Sequence, residues 1–317
     1  MKITGLRIED VRRAQPAIAD AAIRTPLVPL NLWDAPAEIF LKLENLQPIG
    51  SFKIRGAANA MKLMSKDELA RGVLVASAGN MAQGAAWNAR RLHIPCTVIA
   101  PDYAPDTKVQ AIERLGGRVI KVPFDRWWQT FTDRSYPGVN AAFIHSFDDD
   151  RVMAGNGTIG LELLEDLPNV DSVLIPWGGG GLACGIATAL RAIKPSVRIY
   201  AVEADTGAPL TASLQAGSPQ VVDYQPSFVD GIGSKTVFNS MLVMAQELLD
   251  GSLTASLDEI AAALRLMAER NRVIAEGAGA VALAVALSGK AGGGRIACIV
   301  SGGNIDLPKL AKILGER

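Results

Sequence analysis

The sequence predicts an α/β protein: two open, mostly parallel twisted sheets flanked by helices, with the working cleft between two lobes. Three observations carry that expectation. Short apolar runs alternate with amphipathic segments along most of the 317 residues. Several of these runs end in Gly-, Ser- or Asn-bearing turns that open the next helical segment. In a parallel sheet such turns lie at the strand carboxyl ends, where ligands bind. Finally, a chain of this length more readily makes two lobes than one core.

Taken in order, apolar residues recur at helical spacing from Ile8 to Ile23, and Thr25-Pro26 stops that helix. Glu38 to Glu44 reads as a strand, and a helix follows from Ser51 to about Met64. The alternation then begins. Strands are expected at 72–76, 95–100 and 118–122, with helices at 80–92, 106–115 and 125–135. Pro137-Gly138 breaks the pattern and marks a lobe boundary. A second series resumes at Phe143-Ile144, with strands at 172–175 and 197–202 and helices at 151–167, 181–193 and 208–216. Residues 218–235 carry Pro and Gly with little periodicity and read as a loop or lid. Helices at 237–249, 256–272 and 276–287, a strand at 295–300 and a helix at 308–314 complete the chain. Residues 1–50 are thus assigned to a large lobe, 51–139 to a small lobe and 140–317 to the rest of the large lobe.

Composition narrows the function. Lys plus Arg equals Asp plus Glu, 32 each, so no basic excess invites nucleic acid or an anionic membrane. A hydrophobic content of 49% with 20% charged residues excludes disorder. The N-terminal stretch Met1 to Glu9 has no apolar run, so no signal peptide is expected. The apolar stretch Ala278 to Leu287 is too short to span a bilayer. Cys96, Cys184 and Cys298 are widely spaced, and His93 and His145 are the only histidines, so neither a disulfide framework nor a zinc site is indicated. A cytoplasmic protein acting on a small molecule is the expectation.

Four stretches carry chemistry. In Pro48 to Gly56, Lys53 sits one step inside a predicted helix that Ser51 would cap. An ammonium there opposes the helix dipole. The position suits a lysine of lowered pKa whose amine attacks a carbonyl. Ser77-Ala78-Gly79-Asn80 follows a strand, and its backbone N–H groups could bind an anion such as a carboxylate. Trp177-Gly178-Gly179-Gly180-Gly181-Leu182 joins a strand to a helix, an arrangement that admits a phosphate. No Gly-Lys-Ser/Thr closes it, so it is not a Walker loop. Gly179, Gly181 and Gly185 with Glu203 also form a loose dinucleotide fingerprint, and this segment alone leaves a nicotinamide-dependent oxidoreductase open. Ser301-Gly302-Gly303-Asn304 places a hydroxyl at a strand end.

Together these stretches resemble the fold-type II pyridoxal-phosphate enzymes, the tryptophan synthase β-like family, and within it the serine/threonine dehydratases. Ser51 to Gly56 matches the family's Ser-Phe-Lys-x-Arg-Gly segment, Ser77 to Asn80 its Ser-x-Gly-Asn, Gly178 to Leu182 its phosphate loop and Ser301 to Asn304 its Ser-Gly-Gly-Asn. Glu276 to Ala280 matches a Glu-x-x-Gly-Ala element. The resemblance implies pyridoxal 5'-phosphate as cofactor and Lys53 as the Schiff-base lysine. Phe52 and Asn80 would contact the ring. Gly178, Gly179, Gly180, Gly181 and Leu182 would hold the phosphate, and Ser301 would face the ring nitrogen. Ser77, Ala78, Gly79 and Asn80 would receive the substrate carboxylate, with Met81 beside them. The implied reaction is a lyase's: elimination from L-threonine or L-serine, giving a 2-oxo acid and ammonia. A neutral serine at the ring nitrogen limits electron withdrawal and favours elimination over transamination. The family also implies a homodimer.

The pattern departs in places. Met81 stands where many dehydratases carry histidine, which points to a bulkier 3-hydroxy amino acid such as phenylserine as the alternative substrate. Ala78 replaces the serine with which racemases protonate the opposite face, so racemisation should be weak. Glu203 matches a metal ligand of some members, making a divalent or monovalent cation a candidate, although the residues after it supply no clear second carboxylate. Trp127 and Trp128 are read as packing residues. With Arg317 the last residue, no effector-binding domain and no allosteric feedback are expected.

Overall fold

The computed structural model describes residues 5–315. The readings that involve Met1 to Thr4 and Arg317 lie outside that range. Helix α1 covers Ile8–Ala17 and stops short of the predicted Ile23. Pro16 lies inside it and cannot donate to the helix, so the chain leaves in turns. Strand β1, Leu27–Pro29, has only three residues and no sequence pattern announces it. Strand β2 is Glu38–Leu43. Helix α2 spans Lys53–Lys62. Its cap is not Ser51: Phe52 already has helical backbone angles, and Ser51 is pinned in an antiparallel bridge to Gly302. Helix α3, Lys66–Arg71, is started by a Ser65–Glu68 capping box.

Next come β3 (Val73–Ala76), α4 (Asn80–Arg91), β4 (Cys96–Pro101), α5 (Asp106–Arg114), β5 (Arg118–Val122), α6 (Phe124–Asp133) and β6 (Ala142–Phe143). They are followed by α7 (Asp150–Asp166), β7 (Ser172–Pro176), α8 (Gly181–Ile193), β8 (Arg198–Ala204), α9 (Pro209–Ala216) and α10 (Asn239–Leu248). The chain closes with β9 (Gly251–Ala255), α11 (Leu257–Leu266), α12 (Gly277–Leu287), β10 (Arg295–Val300) and α13 (Leu307–Gly315). The predicted continuation of α11 to residue 272 is a π-helical turn over Met267–Asn271.

The strands form a six-stranded sheet, β1-β2-β10-β7-β8-β9, and a four-stranded sheet, β5-β4-β3-β6. Every pair is parallel except β1 with β2. Strand β6 pairs with β3, Val73 opposite Ala142, so Phe143 belongs to the smaller sheet and does not open the second series.

Both faces of the larger sheet are covered, so β10 and β7 are apolar except for Arg295 and Ser172 at their starts. In β10, Ile296, Cys298 and Val300 point into one core with α11 and α12. Ala297 and Ile299 point into the other, with α8 and α10. Helix α12 is apolar all round because it is buried all round. On the smaller sheet Val73, Val75 and Val98 pack under α2 and α4.

One polar cluster is buried where α2 meets the larger sheet. Arg55 donates to Glu44 at 2.8 Å and to Glu162 of α7 at 2.6 Å. Lys42 of β2 donates to Glu162 and to the Thr25 carbonyl, both at 2.6 Å. Two cations and two carboxylates, all almost without solvent contact, fix the helix that begins at Lys53.

Candidate active site

Helices α2, α4 and α8 all begin at one cleft of about 1360 Å³ between the two sheets. Helix starts leave N–H groups without intrahelical partners and concentrate positive potential. Neither α4 nor α8 has a side-chain cap: Gly79 and Gly180 occupy the cap positions. Their free N–H groups therefore remain available to anions entering the cleft.

The cleft is lined by Phe52, Lys53, Ser77, Ala78, Gly79, Asn80, Met81, Gly178, Gly179, Gly180, Gly181, Leu182 and Ser301. These include every residue to which the resemblance assigns a cofactor or substrate role. The glycines between β7 and α8 are needed sterically. Gly180 has φ +94°, and a Cβ on Gly179 would collide with the Phe147 ring. On Gly79 a Cβ would meet nothing, because that residue opens onto the cleft. Ser77 Oγ accepts the Gly79 N–H at 3.2 Å, so that donor is already engaged.

The amine of Lys53 donates to the Ser146 carbonyl at 2.8 Å and lies 5.0 Å from the centroid of the Phe52 ring. Loss of hydration lowers its pKa to about 8, against a smaller upward pull from Glu276. A much larger fraction is then neutral near pH 8 than for a free lysine.

Asn80 is less free than its assigned role suggests. It donates to Glu276 Oε1 at 2.8 Å and accepts from Asn304 at 2.8 Å. Asn304 also holds the Ile49 carbonyl. One amide hydrogen of Asn80 remains for a ligand. Ser301, buried at the end of β10, donates to the Ala278 carbonyl at 3.4 Å.

Glu276 is the site residue that sequence reasoning left without a role. It precedes α12 and lines the cleft. Burial pushes its pKa up to about 7, opposed by the Asn80 hydrogen bond. The signal was present as an acid at the start of an all-apolar helix. The folded protein thus holds an extra proton between the ordinary value of 4.5 and about 7. Stability must fall as pH rises through that window, by on the order of 3 kcal/mol in total. Glu276→Gln is expected to remove this loss and to exceed the parent in urea melts at pH 8 but not at pH 4. Parallel stability curves for the two proteins would contradict it.

Both carboxylate oxygens of Glu203 are engaged within the chain. Its carboxylate accepts the N–H groups of Leu210 and Thr211 at 2.9 and 2.8 Å, together with the Thr211 and Ser252 hydroxyls. It caps α9 and lies outside the cleft. Among the described residues no group of three His, Cys, Asp or Glu could hold a metal ion. Gly185, the third glycine of the dinucleotide pattern, is packed against the Met153 carbonyl of α7. The nicotinamide reading therefore loses both its acid and its third glycine.

A family profile described as pyridoxal-phosphate dependent enzyme matches residues 18–302. The chain belongs to that family. It is 38% identical over 316 residues to an L-threonine ammonia-lyase of Thermotoga maritima, covering 98% of this chain and 79% of that one. It is 37% identical to the catabolic L-threonine dehydratase TdcB of Escherichia coli K12, covering 97% and 96%. Among solved structures, maize serine racemase superposes with a TM-score of 0.89 at 32% identity, covering 98% and 97%. Membership makes pyridoxal phosphate the cofactor, and the cleft fits it. The desolvated Lys53 amine is suited to the aldehyde, and the glycine turn, which no Cβ could enter at Gly179, would hold the phosphate. Among the described residues no helix is long and apolar enough to cross a membrane.

Proposed function

We propose that this protein is a pyridoxal-phosphate-dependent ammonia-lyase acting on a 3-hydroxy amino acid of the L-threonine or L-serine class. One observation carries the reading: the Lys53 amine faces a cleft onto which two uncapped helix starts open. The named activities of the threonine ammonia-lyase and dehydratase relatives support it.

When bound, the cofactor supplies the electron sink at the substrate α-carbon. The chain supplies the rest. Gly178 to Leu182 would hold the phosphate at the start of α8. Phe52 and the free amide hydrogen of Asn80 would orient the ring, with Ser301 toward its nitrogen. Ser77 to Asn80 bind the substrate carboxylate at the start of α4. The lowered pKa of Lys53 suits it to take the α-proton as a neutral amine. Ala78 has no proton to deliver to the opposite face, so elimination outruns racemisation.

In this reading the protein is a cytoplasmic homodimer. The small lobe runs from residue 51 past 139, because β6 pairs into its sheet. The test is direct. The loaded enzyme should convert L-threonine to 2-oxobutanoate and ammonia in equal amounts. A fully loaded enzyme that releases neither product from threonine or serine would contradict the proposal.

A further inference from the structure

The cleft has an aromatic end for which threonine has no use. Trp128 and Phe131 of α6, Phe147, and Phe238 just before α10 line that end. Their rings form a continuous wall. Centroids are 5.7 Å apart for Trp128 and Phe131, 5.6 Å for Phe131 and Phe147, and 5.2 Å for Phe147 and Phe238. Trp127 lines the cleft as well, although it also packs on Leu74 and Ile99. The adjacent tryptophans thus both line the cleft, where the sequence favours packing and allows at most one of them a pocket.

This wall begins at the reacting centre. The carbonyl that receives the Lys53 amine belongs to Ser146, and the next residue is Phe147. The Phe147 ring in turn rests against Gly179 of the glycine turn. No charge is offered to a substrate here. His145 is buried among the rings, and its pKa is pushed down to about 3, first by burial. Arg134 and Asp148 pair with each other at 2.7 Å. Met81 borders the cleft, but its side chain is almost wholly buried in the core of the smaller sheet and offers the substrate little surface.

The geometry points to a 3-aryl-3-hydroxy amino acid, of which 3-phenylserine is the simplest, as a substrate preferred over threonine. Its ring would lie on the wall of Trp128, Phe131, Phe147 and Phe238, where threonine offers only a methyl group. The inference rests on the elimination reading above and adds no co-reactant. The Cα–H and Cβ–O bonds break, a C=C bond forms and water leaves. The resulting enamine tautomerises to an imine, which takes up water and releases ammonia. An aryl 2-oxo acid and ammonia together contain the same atoms as the substrate.

The test compares L-threonine and L-threo-3-phenylserine on one preparation of the holoenzyme, and on Trp128→Ala and Phe147→Leu. The expected kcat/KM for phenylserine exceeds that for threonine by roughly tenfold or more, and either variant lowers this ratio about tenfold. Because the ratio is taken within each preparation, partial misfolding cancels. Threonine turned over as well as or better than phenylserine would overturn the aryl inference and leave the elimination reading standing. A ratio unchanged in both variants would overturn it as well. A loaded enzyme that turns over neither compound, nor serine, would remove both.

Discussion

Lys53→Ala is expected to abolish turnover, by at least about a thousandfold, and to remove the visible absorbance band of the lysine-bound cofactor. The size of the effect follows from the number of tasks that converge on one amine. It alone faces the cleft from the start of α2, held by the Ser146 carbonyl. Burial lowers its pKa to about 8, so a substantial neutral fraction exists at a pH where a free lysine in water is almost wholly charged. No second lysine can take its place on the same helix, since Lys62 is at the far end and paired with Asp20. The variant should fold, because losing a partly desolvated ammonium costs the structure little. It should still bind the cofactor phosphate weakly at the glycine turn. A variant that keeps a tenth of the parent's activity would contradict the assignment.

Arg55→Ala is expected to be the most damaging single change to stability away from the cleft. Removing one partner of a buried ion cluster strands the others, at a cost of about 3–5 kcal/mol. Here two carboxylates would be stranded, Glu44 and Glu162, with Lys42 as the only remaining cation. Burial alone would raise the Glu44 pKa, but Arg55 beside it wins and holds it below the usual value. Such a depressed acid contributes stability that is present above about pH 4.5 and lost as pH falls through the folded value. Calorimetry should therefore show Arg55→Ala melting well below the parent at pH 7, with the gap closing in acid. A gap that is equal at pH 7 and pH 3 would show that the cluster carries no net charge coupling. Loss of α2 anchoring should also loosen Lys53, two residues before Arg55.

Much of this architecture was legible because period and punctuation agree. The helix at Gly181–Ile193 and the strand at Arg295–Val300 are found at their expected bounds. Each has a sharp glycine or charge boundary and one unbroken apolar pattern. The cleft residues were legible for a related reason: anion-binding turns need glycine or hydroxyl groups at strand ends, and few other places do. Helix α3 escaped although Ser65 and Glu68 form a capping box, whereas the other missed features had no local signature. Strand β9, Gly251-Ser-Leu-Thr-Ala, is an edge strand whose pairing with β8 is tertiary. Strand β6 is two residues long and is placed only by β3. The Arg55 cluster draws its members from residues 42, 44, 55 and 162, and no spacing rule joins them. Glu203 is ambiguous in the sequence because its position near the end of β8 suits a ligand-binding acid as well as it suits a cap for α9. Only the partners of its oxygens distinguish the two.

The most direct measurement is to reduce the holoenzyme with borohydride, digest it and map the phosphopyridoxyl group by mass spectrometry. The account predicts that the label is confined to the peptide containing Lys53. Label on another lysine, or a reduced enzyme whose Lys53 peptide stays unmodified while the cofactor is bound, would contradict it.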